Sequence, residues 1–389
     1  MENINEQAVA ANTEQILAVS PNQVIIYNKN IYSYDIAGQK LLWEHKADKG
    51  EYQLFACQLH GNLLYASFNH YRSGYADMHD QRLIIIDTQS GSIIWKASIA
   101  SNNNSYYCVN NNLIYCLNNH ENKLYCFDTN KSDDNLLWEQ GIKIKVAKDF
   151  QGEYMSGMKK YKPRILSCFI WNSLLVVTSD ANQWLYINPV TGAIERIIEL
   201  THDLIGKQQM YPTFDRPFVI HDNAATFIYR GVLCRVNLDS GETNAYATSY
   251  NGKYQNKMAS KNNFWGNYDR DVFLANDKFY FDNDTTIAEA FFEIPVDSTD
   301  GVITRKVEFN DKLRFLNTKR VKVYGNNLYI NKSCISEGII CYNLETGKTT
   351  QINGDTFNDF TMVGDLLFIV TDNTVLTYKT HALRSVQNN

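Results

Sequence analysis

One hairpin pattern recurs along this chain and constrains its fold more than any other feature. A short apolar strand ends in Asp or Asn, a tight turn with Gly follows, and the returning strand often carries Trp. The clearest copies are Ile31–Asp35 with Gly38 and Trp43, Leu83–Asp87 with Gly91 and Trp95, and Leu124–Asp128 with a longer polar turn and Trp138. Later copies keep the turn and lose the Trp, at Ile187-Asn188 to Gly192, Val236-Asn237 to Gly241 and Tyr342-Asn343 to Gly347, with a weak copy at Ile294–Asp297 closed by Gly301. Each residue has a structural task. The Asp or Asn side chain accepts backbone N–H groups of the turn, Gly supplies a positive φ, and a Trp at fixed offset buries a large ring between neighbouring sheets. Strands joined in this way run antiparallel.

A second hairpin precedes each copy, as at Tyr52–Leu59 with Leu63–Phe68, or Leu166–Ile170 with Leu174–Thr178. Each unit therefore holds four strands, and units recur roughly every 40 to 60 residues, the period of propeller blades. The predicted fold is all-β, a β-propeller of about eight four-stranded antiparallel blades in a single domain, 1–389. The weak sixth unit leaves seven open. The last unit offers only three strands, Phe360–Val363, Leu366–Val370 and Val375–Tyr378, so the segment Ile4–Ala10 is expected to supply the fourth and close the ring.

The strand, the Asp turn, the Gly and the Trp together resemble the PQQ-like repeat, found in quinoprotein alcohol dehydrogenases and in the propeller lipoprotein of the bacterial outer-membrane assembly machinery. The resemblance covers nearly the whole chain. It implies blade architecture and says little about function. The quinoprotein members carry adjacent cysteines at the quinone. No Cys-Cys dipeptide occurs here, and no CxxCH haem site. Neither PQQ nor any other cofactor is therefore expected. No lipobox is present, which argues against the lipoprotein role.

The 389 residues carry a net charge of −5, against the basic excess expected of a nucleic-acid binder, so no nucleic-acid partner is expected. No apolar run approaches a membrane span, and Met1–Gln7 carries no basic or apolar leader pattern. The expectation is a cytoplasmic protein, monomeric on its own, without a membrane partner. The 8 cysteines lie mostly within apolar strands and lack CxxC spacing, so they read as reduced, buried thiols and not as zinc ligands. His70 and His79 flank Asp77 and Asp80 without metal-ligand spacing. Glu153, Asp203, Asp215 and Asp269 are the carboxylates on which a hydrolytic pair would draw. No nucleophile elbow, Walker loop, GxGxxG or HExxH occurs, and the chain is not expected to be an enzyme.

The function signal is in the insertions. The turns between first and second strands, and between third and fourth, are short. The long segments are 69–81, between the second and third strands of the second blade, and the links 141–164, 201–216 and 251–270 between blades. Antiparallel alternation sends all of these to one face. Loops of this length are usually functional, and these carry the residue types that anchor interfaces. The predicted partner-binding residues are Tyr71, Arg72, Tyr75, Lys159, Lys160, Tyr161, Tyr211, Phe214, Arg216, Phe264, Trp265, Tyr268 and Arg270. The resulting expectation is a non-catalytic propeller that captures another protein, acidic where it meets Lys159 and Lys160; a specific version is a bacterial immunity protein that neutralises a toxin. The alternative is a carbohydrate-binding or hydrolytic propeller with its site at the channel mouth.

Overall fold

The computed structural model describes residues 2–11, 14–47, 51–71, 78–100, 107–119, 121–131, 133, 135–145, 163–201, 218–229, 232–250, 253–254, 273–281, 288–313, 321–331, 338–352 and 357–380. Among them every regular element is a strand.

β1 (Glu2–Ala8) precedes the first blade, β2 (Gln15–Ser20), β3 (Gln23–Tyr27), β4 (Ile31–Asp35) and β5 (Lys40–His45). The second blade is β6 (Glu51–His60), β7 (Leu63–Tyr71), β8 (Met78–Asp87) and β9 (Ile93–Ala100). The third is β10 (Tyr107–Asn110), β11 (Leu113–Asn118), β12 (Lys123–Asp128) and β13 (Leu136–Gly141). The fourth is β14 (Ile165–Trp171), β15 (Leu174–Ser179), β16 (Gln183–Ile187) and β17 (Ile194–Glu199). The fifth is β18 (Phe218–His221), β19 (Ala224–Tyr229), β20 (Val232–Asn237) and β21 (Thr243–Ala247). A small hairpin, β22 (Ser249–Tyr250) with β23 (Lys253–Tyr254), comes before the sixth blade, β24 (Phe273–Ala275), β25 (Lys278–Phe281), β26 (Ala288–Pro295) and β27 (Arg305–Leu313). The seventh is β28 (Val321–Tyr324), β29 (Asn327–Asn331), β30 (Ile339–Asn343) and β31 (Thr349–Ile352). The eighth is β32 (Asp359–Val363), β33 (Leu366–Val370) and β34 (Thr374–Lys379), completed by β1. The chain is an eight-bladed β-propeller of four-stranded antiparallel sheets. The weak sixth unit is a full blade, which decides for eight over seven.

Contacts divide the chain into two compact units, one of Met1–Asn102, Ser132–Asp134 and Asn327–Asn389, the other of Asn103–Lys131 and Asn135–Asn326. In the first unit the two ends of the chain share one sheet. β1 pairs antiparallel with β34, from Glu2↔Lys379 to Ala8↔Thr374, as the three-strand count of the last repeat required. The Ile16 N–H also donates to Asp359 at 3.1 Å, and Val9 N–H to the Asn373 carbonyl at 2.9 Å. Between these blades Ile16, Val24 and Ile26 pack on Phe368, Val370 and Val375. A like cluster, with Ile25, Ile31 and Trp43 against Leu64, Phe68 and Ile84, joins the first blade to the second.

The second unit repeats this layering. Leu117, Leu124 and Cys126 meet Leu175, Val177 and Leu185, and Val176, Trp184 and Tyr186 meet Phe227, Val232 and Val236. Its sixth blade adds a polar centre. Glu293, only 3% exposed, accepts from Lys278 Nζ (2.9 Å), Tyr280 Oη (2.9 Å), Thr304 Oγ1 (3.2 Å) and Arg305 Nε (3.0 Å). Burial alone would raise its carboxyl, but the bonds from Lys278 and Tyr280 and the charges of Arg305 and Lys278 hold it below its ordinary value.

The repeated turn is built from its Asp or Asn. Asp35 accepts from Gly38 N–H (2.9 Å), Asp87 from Ser90 (2.7 Å), Asn188 from Thr191 (3.0 Å), Asn237 from Ser240 (2.8 Å) and Asn343 from Thr346 (2.7 Å). Each replaces solvent for a turn N–H that has no ladder partner. In four copies the turn glycine donates back to the carbonyl of the same Asp or Asn, as Gly91 does to Asp87 at 2.9 Å. The glycine is then held at φ +74, where a side chain would be strained.

In the first four blades the third and fourth strands slip by one residue next to the Trp position. The register passes from Tyr34↔Leu41 to Ser33↔Trp43, from Ile86↔Ile93 to Ile85↔Trp95, from Phe127↔Leu136 to Cys126↔Trp138, and from Ile187↔Ile194 to Tyr186↔Arg196. The skipped residues Leu42, Ile94, Leu137 and Glu195 are β-bulges. A bulge re-aims the side chain beside it, and in blades one and three the result is direct docking. Trp43 Nε1 donates to the Thr88 carbonyl of the following blade at 2.8 Å, and Trp138 Nε1 to that of Pro189 at 3.1 Å. Their rings lie against the turn glycines of those blades: a Cβ on Gly91 would come 2.5 Å from Trp43, and one on Gly192 2.8 Å from Trp138. In blade four Arg196 stands at the Trp position. It lies 4.0 Å over the Tyr186 ring and donates to the carbonyls of Leu238 (2.6 Å) and Asp239. Blades five and seven have no bulge here, the register running straight through Val236↔Thr243 and Tyr342↔Thr349, and they have no Trp. Bulged edges with Leu41, Leu42, Ile93 and Ile94 exposed also resist pairing with a foreign strand.

Candidate functional site

Three of the four connections that carry the expected binding residues, 141–164, 201–216 and 251–270, lie between blades, and the fourth, 69–81, joins β7 to β8; the structure shows how their bases are built. The longest, 141–164, leaves and re-enters at one residue. Asn122, in the turn between β12 and its predecessor, has φ +53, and its carbonyl accepts Ile142 N–H at 2.7 Å. Its side-chain amide takes the returning chain in a two-bond fork, with Nδ2 donating to the Pro163 carbonyl at 2.8 Å and Oδ1 accepting Ile165 N–H at 2.9 Å. Gln183 makes a matching fork on the outgoing side. Its Nε2 donates to the Lys145 carbonyl at 2.6 Å, and Oε1 accepts Lys145 N–H at 3.2 Å. Arg164 N–H donates to Asp180 Oδ1 at 2.7 Å, and Asp180 N–H donates to the Arg164 carbonyl at 3.0 Å. Asp180, Asn182 and Gln183 are buried. Buried polar side chains are costly unless satisfied, and here the connection bonds those of Asp180 and Gln183.

The same device holds the next link. Leu200 N–H donates to the Asn182 carbonyl at 2.8 Å, tying the start of 201–216 to the turn that also holds 141–164. Its far end enters at Phe218, whose ring is 5.0 Å from that of Phe169. The link 251–270 departs from the β22–β23 hairpin. Ser249 N–H donates to the Gly301 carbonyl at 3.0 Å, and the Tyr250 ring lies 5.7 Å from Phe292. In the first unit the 69–81 segment is partly strand: β7 and β8 stay paired through Asn69↔Gln81 and His70↔Asp80 out to Tyr71↔Met78. The sequence reading placed that pairing inside a loop.

Of the thirteen predicted binding residues, Tyr71 ends β7 and the other twelve (Arg72, Tyr75, Lys159, Lys160, Tyr161, Tyr211, Phe214, Arg216, Phe264, Trp265, Tyr268 and Arg270) lie outside the described residues. So do Asp77, Glu153, Asp203, Asp215 and Asp269. Sequence reasoning missed Asn122, Asp180 and Gln183. Their signal was a pair of polar turns, Glu121-Asn122 and Asp180–Gln183, set between apolar strands and next to the longest link. Among the described residues no group of three or more His, Cys, Asp or Glu is arranged to hold a metal ion. The seven described cysteines are free thiols, and Cys334 lies outside the described residues.

The chain is an eight-bladed propeller whose Asx turn, turn glycine and docked Trp resemble those of PQQ-like repeats. Residues 3–154 match the family model described as outer membrane protein assembly factor BamB. No curated protein sequence matches the chain. Among solved structures it is similar to BamB from Moraxella catarrhalis, at 12% identity, TM-score 0.56 and 98% coverage of each chain. It is also similar to Saccharomyces cerevisiae Sqt1, at 10% identity and TM-score 0.58, covering 97% of this chain and 98% of that one. A third similar structure is the computationally designed Ika8 protein, at 10% identity and TM-score 0.59, covering 97% of this chain and 100% of that one. At these identities the likeness is one of fold.

Proposed function

We propose that this chain is a non-catalytic propeller that binds another protein through its long connections. Within the second unit these are 141–164, 201–216 and 251–270, and within the first unit 69–81, with Tyr71, Arg72 and Tyr75. The observation that carries the reading is the base of 141–164. Half-buried Asn122 and the buried Asp180 and Gln183 hydrogen-bond the two ends of a long insertion. That arrangement serves the inserted segment better than it serves the blades, whose own ladders are complete without it. The insertion presents Lys159, Lys160 and Tyr161, which suit an acidic partner steered by charge and anchored by an aromatic ring. The named BamB relatives support protein-level assembly as the type of role. The specific form is a cytoplasmic immunity protein that occludes a toxin, with no cofactor.

The test is affinity capture of the tagged chain from its native cell, with mass spectrometry, beside a variant carrying Tyr161→Ala, Trp265→Ala and Arg270→Ala. A stoichiometric protein held by the parent and lost by the folded variant is the expected result. Equal retention by the variant overturns the assignment of the binding residues, and absence of any protein directs attention to glycans.

A further inference from the structure

β1 closes the eighth blade, yet it is held unlike other outer strands of the first unit. Those bury an apolar side chain, Trp43 on β5, Trp95 on β9 and Ile352 on β31. β1 buries none: Ile4 is 49% exposed, and Ala8 is exposed. Of its side chains from Asn3 to Ala8 only that of Gln7 is buried, at 4% exposure. Gln7 stands opposite Val375, and Thr377, 2% exposed, stands opposite Asn5, so the four side chains share one face of the sheet. Among the described residues neither Gln7 Oε1 nor Thr377 Oγ1 has a hydrogen-bond partner. Two buried groups without partners oppose the docking of this strand. Its retention rests on the ladder with β34 and on Asn5, whose Nδ2 donates to the Ile36 carbonyl at 3.0 Å and whose Oδ1 accepts from Gln39 Nε2 at 3.0 Å.

β1 is also joined to its sheet differently. No turn links it to β34; the chain runs on from it through residues 9–14 to β2. The strand can therefore leave without undoing a hairpin, and what it uncovers is a row of unpaired N–H and C=O groups on β34. The strand that fits this edge in the same register, with the same Asn5 bonds to blade one, is β1 of another copy. We propose that β1 exchanges between two copies of this chain, each β1 pairing with the other's β34 to give a strand-swapped dimer. The tether through residues 9–14 favours the monomer in dilute solution. The dimer gains as the protein approaches the effective concentration of a tethered strand, on the order of mM.

Asn3 faces Tyr378 in the ladder, and neither is buried. A chain carrying Asn3→Cys and a second chain carrying Tyr378→Cys are mixed at about 1 mM, oxidised, and mapped by non-reducing peptide mass spectrometry. A disulfide joining position 3 of one copy to position 378 of the other is expected, in a species of dimer mass, with a yield that falls when the mixture is diluted before oxidation. The double variant, which closes the same pair within one chain, shows that the positions can be bridged. A mixture that forms no 3-to-378 link under conditions that close the double variant overturns the proposal. Gln7→Leu, added to the Asn3→Cys chain, replaces the unpartnered carbonyl with a buried apolar group. It is expected to slow linking at least about tenfold, and an unchanged rate overturns the part assigned to Gln7. Should a cysteine variant fail to fold, hydrogen exchange of the native chain decides. Amides of Glu2–Ala8 are expected to exchange at least about tenfold faster than those of Leu366–Val370, and equal rates overturn the proposal.

Discussion

Trp43 covers Gly91 so closely that a Cβ on the glycine would lie 2.5 Å from the indole, while Nε1 donates at 2.8 Å to Thr88, three residues earlier in the same turn. One residue pair thereby fixes how one blade sits on the next. Gly91→Ala meets both this clash and a φ of +74, and is expected to cost about 2–4 kcal/mol. Trp43→Ala is expected to cost about 3–5 kcal/mol. Because they share one contact, the double variant is expected to lose less than the sum, measured by urea unfolding.

Arg196 performs the docking task of Trp in blade four, stacking on Tyr186 and donating to Leu238 and Asp239. Arg196→Ala is expected to lower stability by about 2 kcal/mol. Arg196→Trp is expected to lose less, since the bulge at Glu195 already aims this position at the next turn. Thermal melts of the two variants give the order.

Removal of residues 1–8 strips β34 of its partner and leaves an open edge in the eighth blade. The truncated protein is expected to melt at lower temperature and to associate in a concentration-dependent manner. Light scattering after size-exclusion chromatography reads the second effect, and a stable monomer would contradict the pairing.

Glu293 gives a pH dependence of definite sign. Its folded carboxyl titrates below the ordinary value of 4.5, so between the two values the unfolded chain binds the extra proton. The stabilisation is present above pH 4.5 and is lost as pH falls through the folded value. Glu293→Gln is expected to cost about 3 kcal/mol at neutral pH, because Lys278 and Arg305 lose their counter-charge, and to flatten the acid limb of the stability curve. An unchanged acid limb would contradict the network.

The blades were legible in the sequence because their turns are local. Asp87, Ser90 and Gly91 lie within five residues and carry the turn's hydrogen bonds and its positive φ among themselves. The closing role of the N-terminal segment was legible by counting strands, since β32–β34 leave one edge open. The bulges were not legible, because a slip such as Ser33↔Trp43 after Tyr34↔Leu41 exists only between paired strands. For the same reason the loss of Trp at Arg196 read as decay, although the position keeps a planar group and an N–H donor. The forks of Asn122 and Gln183 reach 43 and 38 residues along the chain, and no periodicity reports such bonds.

The central claim, binding through the long connections, is tested most directly by hydrogen–deuterium exchange of the captured complex against the free protein. The account predicts protection on binding in peptides spanning 141–164, 201–216 and 251–270, with the Asp87–Gly91 and Asn188–Gly192 turns unchanged. Protection confined to those turns, or to the exposed outer-strand residues Leu41, Leu42, Ile93 and Ile94, would contradict it.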